Sequence, residues 1–97
     1  MKDFTNKHMN ANYRKGSQTY VGSLWFYADS FEYKAKSVNS AIRFGKIAYS
    51  EIKNVKTVNT LGIVPNGIII VLKNGAEHNY VINDRKSVVE FLKSKVI

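Results

Sequence analysis

The sequence predicts a small, mainly β domain in which seven antiparallel strands curl into a barrel and one C-terminal helix closes it. Three observations carry that expectation. Apolar and polar residues alternate with period two in short runs through most of the chain, as they do in half-buried strands. Turn-forming pairs such as Asp29-Ser30 and Asn74-Gly75 punctuate those runs. The last fifteen residues then change period, to apolar side chains three and four positions apart. Seven strands in 97 residues must curl to bury a common core, and a helix is at hand to cover an open end.

The elements follow in order. Residues 1–9 are polar with scattered apolar side chains and read as a flexible leader to a domain spanning 10–97. "ANYRKG", 11–16, is the first strand. "YVGSLWFYA", 20–28, places Tyr20, Gly22, Leu24 and Phe26 on one face and Val21, Ser23, Trp25 and Tyr27 on the other. "SFEYKAK", 30–36, sets Phe31, Tyr33 and Ala35 against Glu32, Lys34 and Lys36, so the two runs form a hairpin. "SVNS" is a loop, and "AIRFGKIAYS", 41–50, is the fourth strand, with Gly45 a bend. "NVKTVNT", 54–60, is the fifth. "GIIIVLK", 67–73, is almost continuously apolar and β-branched and is the buried sixth. "KNG" turns the chain into "AEHNYVI", 76–82. Asn83 and Asp84 are cap-type residues before a helix over 84–95, whose Val88, Phe91, Leu92 and Val96 face the core. Val88, Phe91 and Leu92 are expected against Leu24, Phe26, Phe31 and Ile70.

Composition narrows the chemistry. With no cysteine, disulfides, thiolate catalysis and cysteine-based zinc sites are excluded, which fits a reducing cytoplasm. No run approaches the roughly 18 apolar residues of a membrane span, and the start has no apolar signal core, so membrane contact is expected to be peripheral. Fifteen Lys and Arg against seven Asp and Glu give a net charge of +8. Such a field favours anionic partners: phospholipid headgroups, nucleic acid or an acidic protein. Lysine-rich genome composition is the plain alternative. His8 falls in the leader and His78 in a strand whose neighbour Glu77 points the other way. Glu51 reads as a local cap. The six glycines are scattered at turns and bends, with no phosphate-loop spacing. No catalytic residue, metal site or cofactor is expected.

Several words of the chain resemble one family. "ANYRKGSQTYVGSLWFYADSFEYKA" is similar to the opening of GRAM domains of the pleckstrin-homology-like superfamily, in particular the small bacterial members. "IAYSEIKNV" resembles their I-x-(Y/L)-x-(D/E)-I-x-x-V segment, and "TLGIVPNGIIIVLKNG" their most recognisable block. The likeness covers about residues 11–95. "SQT" at 17–19 departs from it, since many relatives carry a tryptophan there. The resemblance implies a pleckstrin-homology-like barrel of seven strands in two near-orthogonal sheets with a C-terminal helix. It also implies a non-catalytic module that binds a membrane or a protein.

Candidate site residues then fall into two groups. In an up-and-down sheet the loops after strands one and three, with Arg14, Lys15 and Lys36, fall at one end; the resemblance brings the loop after strand six, with Lys73, to that open end, and Lys34 and Arg43 would line its wall. Converging cations suit a phosphorylated headgroup, each adding a charge-assisted hydrogen bond. Bacteria generally lack phosphoinositides, so a bacterial relative would meet general anionic lipid. Solvated loop-end lysines are the plain reading. The second group is apolar. In "TLGIVPNG", Pro65-Asn66-Gly67 reads as the turn into strand six. Leu61, Ile63 and Val64 then lie in the connection before it, either folded under the barrel or exposed as a tip for a bilayer or another subunit. Trp25 and Tyr27 share a face opposite Leu24 and Phe26. They read as a second core layer under the leader, a protein-contact anchor, an interfacial belt or a base-stacking platform.

The leading expectation is peripheral association with anionic phospholipid at the inner face of the membrane, or with a protein partner. Single-stranded nucleic-acid binding is the alternative, opposed by the strand count and the terminal helix. A structural homo-oligomer joined through "LGIV" is the third reading.

Overall fold

Period-two alternation in β2 (Gln18–Phe26) buries Gly22, Leu24 and Phe26 and turns Val21, Ser23 and Trp25 outward. The computed structural model describes residues 2–36 and 44–96. Around β2 stand β1 (Lys7–Lys15), β3 (Ser30–Ala35) and β4 (Lys46–Ala48). A 3-10 turn, Tyr49–Glu51, leads into β5 (Ile52–Thr60), β6 (Val64–Leu72) and β7 (Glu77–Ile82), and the chain ends in α1 (Arg85–Lys95). The strands follow the order β4-β3-β2-β1-β7-β6-β5, every neighbour antiparallel. The two expected sheets are therefore joined. The β1–β7 ladder, Ala11↔Ile82 to Arg14↔Asn79, makes them halves of one curled seven-stranded sheet.

The mainly β barrel with a terminal helix is as the alternation predicts. α1 lies against β5, β6 and the 3-10 turn, with Val88, Phe91 and Leu92 buried. Its Phe91 ring meets Phe26 edge-on at 5.4 Å and Phe4 at 5.5 Å, aromatic geometry that adds to the buried area. The helix starts one residue later than expected, and Asp84 contributes no side-chain cap. It stands at φ 55°, and its carboxylate pairs with the Lys2 ammonium instead.

Several boundaries differ from the sequence reading, and packing explains two of them. β1 begins at Lys7, inside the expected leader, because Lys7, His8 and Met9 pair with Phe26, Trp25 and Leu24. Phe4 extends the contact by packing on Phe26 at 5.6 Å. The fourth strand, expected over 41–50, is a strand only at 46–48, and residues 41–43 lie outside the described part. Tyr49 leaves the strand direction to bury itself. Its hydroxyl donates to the Tyr27 carbonyl at 2.9 Å and its N–H to the Asp29 carbonyl at 3.0 Å.

The largest difference is in "TLGIVPNG". Pro65-Asn66-Gly67 is not a turn but part of β6. The turn is Leu61-Gly62, both at positive φ (54° and 76°), closed by the Ile63 N–H donating to the Thr60 carbonyl at 3.2 Å. With Thr60 paired to Val64, the connection is a three-residue hairpin loop, Leu61 to Ile63. Pro65 is tolerated because the β6–β7 ladder ends at Gly67↔Val81, so no bond to β7 is lost there. Gly67 is needed for close approach: a Cβ at that position would lie 2.6 Å from the Val58 carbonyl oxygen.

Leu92 is fully buried between the helix and the sheet. Leu92→Ala is expected to lower unfolding stability by about 2–5 kcal/mol in urea titration. A loss under about 1 kcal/mol would mean that α1 does not close the core.

Candidate functional site

β6 outruns β7, and this creates the most prominent surface feature. Beyond Gly67↔Val81 the chain continues as a two-stranded ribbon of β5 and β6, tied by Thr60↔Val64. At its end Leu61 is 88% exposed, Ile63 78% and Val64 41%. The alternative in which these residues fold under the barrel is thus corrected: a nine-residue β6 carries them past the end of the core. Leu61 is also held at a left-handed φ, which costs an L-residue with a bulky side chain about 1–2 kcal/mol. It gains no burial in return. The ribbon's root is fixed by α1, where Arg85 Nη1 donates to the Val58 carbonyl and to Asn59 Oδ1, each at 3.1 Å.

The cations expected at a barrel mouth are partly dispersed. Lys15 ends β1 at the pair Lys15↔Gln18, and Lys36 follows β3 with its N–H on the Val21 carbonyl, so both stand at the same end of the sheet. Arg14 alternates with buried Tyr13 and therefore faces outward. Lys34 does not line the wall. It alternates with buried Tyr33, faces outward, and its Nζ lies 4.4 Å from the Trp25 ring centre and 4.0 Å from Glu32. Lys73 starts the β6–β7 turn with its N–H on the Glu51 carbonyl at 2.8 Å. There it borders a hollow of about 140 Å³ with Tyr49, Ser50, Ile52 and Lys95. Arg43 lies outside the described residues.

The outer aromatics are already occupied. His8 stacks on Trp25 at 4.2 Å and 15°, and Lys34 covers the same ring. The Tyr27 hydroxyl donates to Glu32 at 2.9 Å, and Lys46 lies 4.5 Å from its ring. Both side chains are half-buried, a second layer over the core. The expected cover comes from His8, a residue assigned to the leader but found in β1.

Inside the barrel, beneath the β1–β2 end, stand Tyr13, Tyr33, Tyr80 and His78. Tyr80 packs on Tyr13 at 5.2 Å and on Tyr33 at 5.5 Å. The Tyr13 hydroxyl pairs with His78 Nδ1 at 3.1 Å, and burial lowers the His78 pKa. Burial likewise pushes Tyr49 up to about 12. Among the described residues no three His, Cys, Asp or Glu side chains are grouped so as to hold a metal, and no helix is long and apolar enough to cross a membrane.

Sequence reasoning misses Arg85. Its signal was topological: it opens the helix directly after β7, at the same end of the sheet as the β5–β6 turn.

No protein-family model matches the chain, and no curated protein matches it. Among solved structures, the chain is similar to the C-terminal domain of an unknown protein from Leishmania infantum. The TM-score is 0.77, with 19% identity over 92% of this chain and 80% of that one. At that identity the likeness shows the fold: a curled antiparallel barrel with one terminal helix.

The buried His78 gives a pH dependence. Burial holds its folded pKa below the ordinary imidazole value of 6.5, so the unfolded chain takes up the proton first. Its effect is absent above that pH, and stability falls as pH drops below it. In thermal melts between pH 7.5 and pH 5, His78→Asn is expected to lose less stability than the wild type. Parallel curves would assign the acid sensitivity to other groups.

Proposed function

We propose that this chain is a non-catalytic binding module of the pleckstrin-homology-like, GRAM type that associates peripherally with anionic membrane lipid. One observation carries the reading: an aliphatic ribbon tip, Leu61, Ile63 and Val64, projects beyond the core with Leu61 in a conformation that its side chain disfavours. Function, not folding, is the reason to keep a leucine there, since asparagine would suit the turn better. The net charge of +8 supplies attraction to a negative surface.

A bilayer fits this tip better than a protein does. Stable protein interfaces draw on about 20–30 residues a side and on aromatic or arginine anchors. Three aliphatic side chains on a narrow ribbon supply neither. Lipid asks only that they leave water, and fully burying one leucine is worth about 1.5–3 kcal/mol.

Leu61→Asn separates folding from binding. The variant is expected to melt at or above the wild-type temperature, because asparagine accepts positive φ. Its binding to phosphatidylcholine vesicles containing phosphatidylglycerol is expected to weaken about ten- to a hundredfold, the leucine's transfer term. Unchanged binding would sink the insertion reading, and so would a wild type that sediments with neither neutral nor anionic vesicles.

A further inference from the structure

We infer that the anionic headgroups are met by a basic collar at the root of the ribbon, Arg85, Lys86 and Lys56, and not by the cations at the opposite end of the barrel. This rests on the membrane reading above and specifies which face it uses.

The geometry separates the two sets of cations. β6 runs from Val64 at the tip to Leu72 beside Lys73. Nine steps at about 3.3 Å each put Lys73 about 30 Å from the tip. β1 and β7 run antiparallel, with Arg14 opposite Asn79, so Lys15 stands at the Lys73 end too. An inserted tip reaches about 5–10 Å into the headgroup boundary. The far cations then remain well beyond the screening length of about 8 Å at physiological salt, and their pull on that surface is weak.

The collar is where the charge is needed. Arg85 is bonded to Val58 and Asn59, three and two residues before Leu61. That is about 7–10 Å behind the apex, at the depth where phosphates lie when the aliphatic side chains are inserted. Lys86 is next in the helix and exposed. Lys56 is exposed on β5, opposite Ile69 and two residues before Val58. Among the described residues the ion pairs are Lys2–Asp84 and Lys34–Glu32, which leaves all three collar cations without a carboxylate partner. The nearest acid, Asp84, is offset by Lys2, whose ammonium also lowers its pKa. The tip and collar thus form one amphipathic end: apolar apex, then cations.

The test compares two charge-removing variants of the full chain on phosphatidylcholine vesicles with and without phosphatidylglycerol. One is Lys56→Gln with Lys86→Gln, which spares Arg85 because that side chain also holds the ribbon. The other is Arg14→Gln, Lys15→Gln, Lys36→Gln and Lys73→Gln. A cation near an anionic surface contributes about fivefold in affinity. The collar variant, with two charges fewer, is therefore expected to bind anionic vesicles about thirtyfold more weakly. The other variant, with four fewer, is expected to change about twofold or less. Melting temperatures check that both remain folded. A larger loss in the four-site variant overturns the collar while leaving membrane association standing. Wild-type protein that ignores phosphatidylglycerol overturns both readings, and the tip then belongs to a protein partner.

Discussion

A curled antiparallel sheet has an apolar concave face that its own strands cannot fully cover, and everything else in this chain depends on how that face is closed. α1 closes it with Val88, Phe91 and Leu92, while Phe4 joins from the N-terminal side. Because the helix must start where β7 ends, Arg85 falls beside the β5–β6 ribbon, and its guanidinium satisfies the Val58 carbonyl there. Core closure and the anchoring of the exposed tip are therefore consequences of one placement. A helix docked elsewhere would leave the concave face wet and the ribbon unsupported.

Strand length decides which residues can serve as surface. β6 has nine residues and β7 six, and the unmatched length becomes the ribbon. Within the matched part, side chains pair into the core or onto the outer layer. Beyond it there is nothing to pack against, so apolar side chains placed there are exposed by construction. That makes Leu61 and Ile63 different in kind from Val21, which is 53% exposed on the outer face of the sheet and needs no special explanation.

The alternation of β2, β3 and β7 made most of the sheet legible, because a period of two assigns faces without reference to neighbours. The helix was legible for the same reason, at its own period. What failed were features that depend on partners. "KHM" has no apolar period, and it is a strand because β2 offers Leu24, Trp25 and Phe26 to pair with. Pro-Asn-Gly carries turn residues, yet Leu-Gly makes the turn, because bond pairing between β5 and β6 fixes where the chain reverses. Lys34 is expected to line the wall of the open end from loop order alone. Lys34 was instead drawn to the outer face by the same alternation that buries Tyr33. The candidate tip residues were legible as an apolar cluster, but their exposure was not, since it follows from the length of β7 rather than from their own identity.

On the proposed reading, the distribution of polarity also says what kind of lipid recognition to look for. A headgroup-specific pocket needs several donors fixed around one phosphate, and fixed donors are held by buried or mutually bonded side chains. The described cations are exposed or sit on outer faces, and Arg85, the collar cation held by hydrogen bonds, directs both of its contacts to the ribbon itself. Long lysines in solvent recognise charge density, not stereochemistry. An apolar apex adds affinity with no demand on headgroup shape. Together these features favour a reader of surface charge and lipid packing over a reader of one headgroup. They place the selectivity in how negative the surface is, and the residence time in how deeply Leu61 and Ile63 are buried.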